Sequence, residues 1–217
     1  MGSSIDDFYY GTTNLSLGVE GGIPIDPEYN TGKIFEFGRG FYMTQDRELA
    51  EQYIIQGIIN EFTYKIVEAE TNNKKEALKK LADGASGRGN LHIYYIDEIL
   101  YEELDVKHFE SEGEYKTEIE DTIKGYKFNR NYSPNREVTW GPISGKLWDD
   151  WWKDKEEIEC TETIIDMFAD EARKNMEEGK KQVCVHRKKK GEKELIGEYF
   201  KPRPIETIKV YRGEKIK

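Results

Sequence analysis

The chain has 217 residues, of which 36% are hydrophobic and 35% charged, and its formal net charge is −10. That length holds one domain with a real core, and fourteen tyrosines and four tryptophans supply apolar area that the aliphatic content lacks. The acidity argues against bulk affinity for a phosphate backbone, no apolar run reaches membrane-spanning length, and the two cysteines and three scattered histidines have no metal-ligand spacing.

In chain order, residues 1–7 lack the basic and apolar regions of a secretory signal, and with so few cysteines a reducing, cytoplasmic setting is expected. Phe8-Tyr9-Tyr10-Gly11-Thr12-Thr13 reads as a strand ending in a glycine-hydroxyl turn. Residues 14–36 are turn-rich, with Gly21-Gly22, Pro24, Pro27 and Gly32, and read as a surface loop. Phe37-Gly38-Arg39-Gly40-Phe41-Tyr42-Met43-Thr44 reads as a tight turn and a strand end. A helix follows, capped by Thr44 or Asp46, with Leu49, Ala50, Tyr53, Ile54 and Ile58 on one face. Phe62, Tyr64 and Ile66 alternate like a strand, but Ile54, Ile58, Phe62 and Ile66 also continue the helical stripe, and the long helix is preferred.

Lys74–Leu81 has a helical pattern, Gly84–Asn90 breaks it, and Leu91–Ile96 reads as a strand. Glu114–Tyr126 is a helix, Asn129–Arg136 a polar loop, and Val138–Trp140 a short strand ended by Gly141-Pro142. Trp148, Trp151 and Trp152 have helical spacing and suit a core stripe better than a docking patch. Glu159–Glu177 is a helix with Ile164, Ile165, Phe168, Ala169 and Ala172 on its apolar side. Gln182–His186 is a strand in which Val183 and Val185 face the core, so Gln182, Cys184 and His186 face a cleft or water. Arg187–Lys193 is a charged turn, and Leu195–Phe200 and Ile208–Tyr211 are strands. Strands at both ends with helices between them indicate an α+β chain.

Four of these stretches, in this order, resemble ADP-ribosyltransferases of the diphtheria-toxin and poly(ADP-ribose)-polymerase group. They are Tyr10-Gly11-Thr12, Phe37 to Thr44 with Tyr53 eleven residues after Tyr42, Trp140-Gly141-Pro142-Ile143, and Gln182-Val183-Cys184-Val185-His186. The nearest likeness is to short, toxin-like bacterial and phage proteins of that fold. It covers most of residues 8–190, with an apparent helical insertion at about 60–90. The resemblance implies a single domain over 1–217 with two small packed β-sheets around a cleft and helices on the flanks. It implies NAD as substrate, no metal, and a protein acceptor in preference to a nucleic acid.

Carried over by residue, the backbone of Gly11 would pair with the nicotinamide carboxamide and Thr12 with the ribose. Tyr42 and Tyr53 would sandwich the nicotinamide ring, with Gly40 in the segment that leads to Tyr42. The catalytic pair would be Gln182, where these enzymes usually carry glutamate, and Tyr10, in place of their histidine. A phenol can still donate a hydrogen bond to a ribose hydroxyl. An amide can orient that hydroxyl but carries no charge for a cation-like transition state, a loss of about 3–4 kcal/mol if it matches the removal of one such interaction elsewhere. The pattern singles out no acidic helper; Glu36, just ahead of the glycine turn, is the nearest candidate. Alternatives are an NAD- or ADP-ribose-binding module with weak or absent turnover, and a scaffold that keeps only the fold.

Bland readings stand beside these roles. Tyr53 on an apolar helix face suits a core tyrosine, and Gly38 and Gly40 suit an unusual turn. Cys184 and His186 are poorly arranged as a nucleophile pair, having no third orienting group. Arg187-Lys188-Lys189-Lys190 suits a solvated hairpin tip, and Gly84–Gly89 lacks the Lys-Ser/Thr of a phosphate loop.

Overall fold

The computed structural model describes residues 4–19, 25–29, 35–69, 84–109, 111–143, 147, 151 and 160–216. The helix expected over Lys74–Leu81, and Trp148 and Trp152, lie outside these residues. The chain is a mixed α+β protein. Its contacts divide it into two compact units, the first of Met1–Asp6, Ile25–Gln45 and Ile96–Lys201, the second of Asp7–Pro24, Asp46–Tyr95 and Pro202–Lys217.

Strand β1 (Ser4–Thr12), in the second unit from Asp7 onward, ends in the expected hydroxyl turn, where Thr12 Oγ1 accepts from the Asn14 amide at 3.1 Å. Helix α1 (Arg47–Ala69) is capped by Asp46, whose Oδ1 accepts from the Leu49 amide at 3.1 Å. It runs without a break through residues 62–67, so the helical stripe there prevails over the strand-like alternation. Ala50, Ile54 and Ile58, four residues apart, pack on Leu91, Ile93, Ile208 and Val210. Full burial of a side chain such as Ile54 contributes about 1.5–3 kcal/mol.

Strand β3 (Gly87–Asp97) starts earlier than the glycines suggest. A Cβ on Gly89 would lie 2.4 Å from Ile54 Cγ2 and 2.7 Å from the Thr12 carbonyl oxygen. Gly89 therefore admits α1 to close contact with the strand rather than breaking it. Strands β10 (Glu206–Tyr211) and β11 (Glu214–Ile216) extend this sheet antiparallel, in the order β11-β10-β3-β1.

In the first unit, β2 (Phe41–Thr44), β4 (Val106–His108), β5 (Val138–Pro142) and β6 (Lys181–Val185) form the order β2-β6-β5-β4. β4 and β5 are parallel, and β6 is antiparallel to both its neighbours. A one-turn helix, α2 (Glu98–Glu102), precedes β4. Helix α3 (Glu112–Phe128) is capped by Ser111, and α4 (Glu162–Glu177) by Thr161, as their short polar side chains favour. Tyr115, Ile119 and Ile123 of α3 meet Phe168, Ala169 and Ala172 of α4 in one core with Phe37 and Cys184. Trp151 packs edge-on against Phe168 with ring centroids 5.4 Å apart, so this member of the tryptophan stripe belongs to the interior.

The charged turn after β6 is a hairpin of β7 (Lys189–Lys190) and β8 (Lys193–Glu194) around Gly191. The strand expected over Leu195–Phe200 is instead a kinked turn at Leu195–Tyr199. Gly197 stands there at φ 118°, which interrupts any extended run. Leu195 and Tyr199 are buried, and extended backbone resumes only at β9 (Phe200–Pro202).

Candidate functional site

Gln182 is the second residue of β6, paired with Thr44 of β2 on one side and Gly141 of β5 on the other. Thr44 fixes the edge of this position, its hydroxyl donating to the Lys181 carbonyl at 2.9 Å. The Gln182 Nε2 donates to Glu36 Oε2 at 2.6 Å and to the Pro142 carbonyl at 3.2 Å. An amide nitrogen has two protons, so both are placed, and the carbonyl oxygen Oε1 is the acceptor left to the side chain.

Glu36 is buried, with 4% of its surface exposed. Its other oxygen accepts from the hydroxyl of Tyr115, itself buried in α3. The segment around it is held by two more tyrosine hydroxyls. Tyr126 accepts from the Phe35 amide at 3.0 Å; Tyr42 accepts from the Phe37 amide at 3.0 Å and donates to the Gly38 carbonyl at 2.7 Å. The Arg39 amide donates to the Tyr132 carbonyl at 2.7 Å. Gly38 has φ 85°, and a Cβ there would meet Pro134 Cδ at 2.9 Å, so the turn needs glycine. The carboxylate is thus presented by a backbone fixed on both sides.

Tyr42 is half-buried and packs against the core of its unit, its ring stacked on Phe35 at 5.2 Å and 25°. Burial pushes its phenol well up, so the hydroxyl stays a donor. Gly40 abuts β6, since a Cβ would lie 2.4 Å from Cys184 Sγ.

Tyr10, Gly11, Thr12 and Tyr53 belong to the second unit. Gly11 faces α1, where a Cβ would fall 2.0 Å from the Ala50 carbonyl oxygen. Tyr53 is not on the apolar face expected for it. It is 58% exposed, one position off the row of Ala50, Ile54 and Ile58. Tyr10 lies beside His92, ring centroids 6.0 Å apart. Burial pushes the Tyr10 phenol up, partly offset by the Thr12 side chain. His92 is buried, its Nε2 has no hydrogen-bond partner among the described residues, and burial lowers its pKa. His92 and Tyr94 line an open cavity of about 310 Å³ with Pro202, Arg203 and Pro204. None of the residues singled out in the sequence lines that cavity, and a lone histidine between apolar residues gave no signal for it.

The expectation that Cys184 and His186 face a cleft or water is corrected: they are 0% and 3% exposed. The α3–α4 layer covers that face of β6, so the strand is buried on both sides. Arg136 Nε donates to Thr139 Oγ1 at 2.8 Å, and Thr139 bonds His186 Nε2 at 2.7 Å. Across the ring, Nδ1 meets the Arg39 carbonyl at 3.0 Å, which can only accept, so Nδ1 carries the proton. The ring is therefore a neutral structural link. Its pKa is pushed down to about 3 by burial, while burial raises that of the Cys184 thiol. Cys184 Sγ lies 3.5 Å from His186 Nδ1, but that nitrogen already carries a proton and cannot take one from the thiol, so the buried pair is no nucleophile.

Among the described residues, no group of three or more His, Cys, Asp or Glu is placed to hold a metal, and no helix is long and apolar enough to cross a membrane. Comparison with protein-family models, with curated proteins and with solved structures finds no match to this chain.

Proposed function

We propose that the chain is an NAD-dependent mono-ADP-ribosyltransferase of the ADP-ribosyltransferase-like fold. It would cleave the nicotinamide–ribose bond and pass ADP-ribose to an acceptor, a protein in preference to a nucleic acid. One observation supports this most: the amide of Gln182 is tied through Nε2 to Glu36 and Pro142, which leaves Oε1 to accept a hydroxyl. This is the strand position at which the resembling enzymes carry their glutamate.

In the reaction, the C–N bond electrons go to the pyridinium ring, which leaves as neutral nicotinamide. Positive charge develops at the ribose carbon, and a nucleophile of the acceptor closes the new bond and loses its proton. Gln182 Oε1 would hold the 2′-hydroxyl, and Tyr10, whose raised pKa keeps it protonated, would donate to the ribose. By the resemblance alone, Gly11 and Thr12 would meet the carboxamide and ribose, and Tyr42 and Tyr53 the ring. The chemistry asked of the protein is positioning and charge stabilisation, not covalent catalysis.

The test is transfer itself: NAD and a cell lysate are incubated with the protein, and proteins are searched by mass spectrometry for ADP-ribose adducts. Adducts with wild type that disappear with Gln182→Ala support the transferase; equal adducts with both refute the role of Gln182.

One observation favours a second reading, a scaffold that keeps the fold without gripping NAD. Phe35 covers one face of the Tyr42 ring, and both hydrogen-bonding capacities of its hydroxyl are engaged. That is the setting of a core tyrosine. Calorimetry that detects neither binding of NAD nor, in parallel, any nicotinamide release would select this reading; binding without release would instead mark an NAD-binding module.

A further inference from the structure

We propose that Glu36 is the positioning residue of the site: it locks the amide of Gln182 with its oxygen outward and supplies, from behind it, the negative charge that glutamine lacks. This rests on the transferase reading and deepens it.

Three observations carry the inference. First, the contact is short and unambiguous in direction. The Pro142 carbonyl, 3.2 Å from the amide, can only accept, so the end of the amide that meets Pro142 and Glu36 is the nitrogen, which fixes which end is free. Second, Glu36 does not depend on Gln182 for its place. Tyr115 holds its second oxygen, and the hydroxyls of Tyr126 and Tyr42 pin the backbone amides on either side of it. A carboxylate held this way needs little reorganisation when charge develops nearby. Third, the pair accounts for the amide at position 182. A glutamate there would put a second carboxylate against Glu36, and two such groups in hydrogen-bond contact cannot both ionise. The charge therefore sits one residue deeper, on Glu36, and reaches the substrate through the polarised amide.

Substitutions separate position from charge. Glu36→Gln can keep a carbonyl toward Gln182 and an amide toward Tyr115, so it removes charge alone. Glu36→Ala removes the anchor as well. The double variant Glu36→Gln with Gln182→Glu moves the charge to position 182. Two readouts are taken: the side-chain amide NMR signals of Gln182, and the kcat and KM of nicotinamide release from NAD.

In wild type, the two Gln182 amide protons should be resolved and slow to exchange. Glu36→Ala should collapse them toward solvent-like values. Glu36→Gln should keep them, lower kcat about tenfold or more, and leave KM nearly unchanged. The double variant should recover most of the lost kcat. Should Glu36→Ala fail to fold, Tyr115→Phe removes only the second donor to Glu36 and should show the same loosening in smaller measure.

Gln182 signals unchanged in both Glu36→Ala and Tyr115→Phe overturn the positioning role. An unchanged kcat in Glu36→Gln overturns the charge role. If wild type releases no nicotinamide at all, the transferase reading and the charge role fail together. The amide signals then decide the Glu36–Gln182 lock by themselves.

Discussion

The amide of Gln182 and the carboxylate of Glu36, 146 positions apart in the chain, meet at 2.6 Å. On the transferase reading, the pair accounts for an amide at the position where the resembling enzymes usually carry a carboxylate. Gln182→Glu alone should destabilise the protein by about 1–3 kcal/mol at pH 7, because one of the two carboxyls is forced to stay protonated. The pKa of that carboxyl is raised in the folded state above its unfolded value. The folded state then binds the extra proton, so its stability falls as pH rises. Urea unfolding at pH 5 and pH 7 checks the sign: the penalty should be larger at pH 7.

His186 makes the opposite kind of prediction. Burial chiefly lowers its folded pKa to about 3, so the unfolded chain takes up a proton first as pH falls from about 6.5. Stability contributed by the neutral ring is present above that value and lost toward the folded pKa. The loss is on the order of 3 kcal/mol between pH 6.5 and pH 4. His186→Gln, which cannot titrate, should flatten this part of the stability profile measured by chemical denaturation.

Gly11 can be read as a ligand-facing glycine or as a packing glycine. A Cβ there meets the Ala50 carbonyl oxygen at 2.0 Å, so Gly11→Ala must push β1 and α1 apart. A cost of about 1–3 kcal/mol is expected. Gly179, at φ 73°, where an added Cβ would meet nothing within 4 Å among the described residues, provides a comparison in which the strain is in the backbone alone. Its replacement by alanine should cost about 1–2 kcal/mol. Thermal melts of the two variants measure both costs.

Tyr53 and Tyr211 are similarly exposed, at 58% and 53%. If Tyr53 contacts the nicotinamide, Tyr53→Ala should weaken NAD binding by roughly tenfold, in keeping with one aromatic contact. Tyr211→Ala should leave it unchanged. Equal affinities by calorimetry would remove Tyr53 from the site.

Much of the fold was legible because local patterns agreed with tertiary packing. The stripe Ala50–Ile54–Ile58 and the Asp46 cap define α1, and Ser111 and Thr161 mark the starts of α3 and α4. Failures came where packing overrode the local signal. Gly87 and Gly89 read as a break but lie in β3, because α1 approaches the strand there. Leu195–Tyr199 read as a strand but turns, because Gly197 leaves the extended region. Cys184 and His186 read as one wet face of a strand, since nothing local says that α3 and α4 cover it. Tyr53 read as apolar-facing because a helical row resolves only to about one position.

The candidate site was legible in parts. Gln182 emerged from its motif and Glu36 only from its place before a turn. Their contact was not legible, since it requires knowing that the turn at Phe35–Arg39 closes on the start of β6. The tyrosine hydroxyls that hold that turn come from β2 and α3, and no spacing rule connects them to it.

Nicotinamide release from NAD by the purified chain, compared with Gln182→Ala under the same conditions, tests the central claim most directly. Release above the spontaneous rate, reduced about a hundredfold or more in the variant, is the expected result. No release by wild type, or equal release by both proteins, would contradict it.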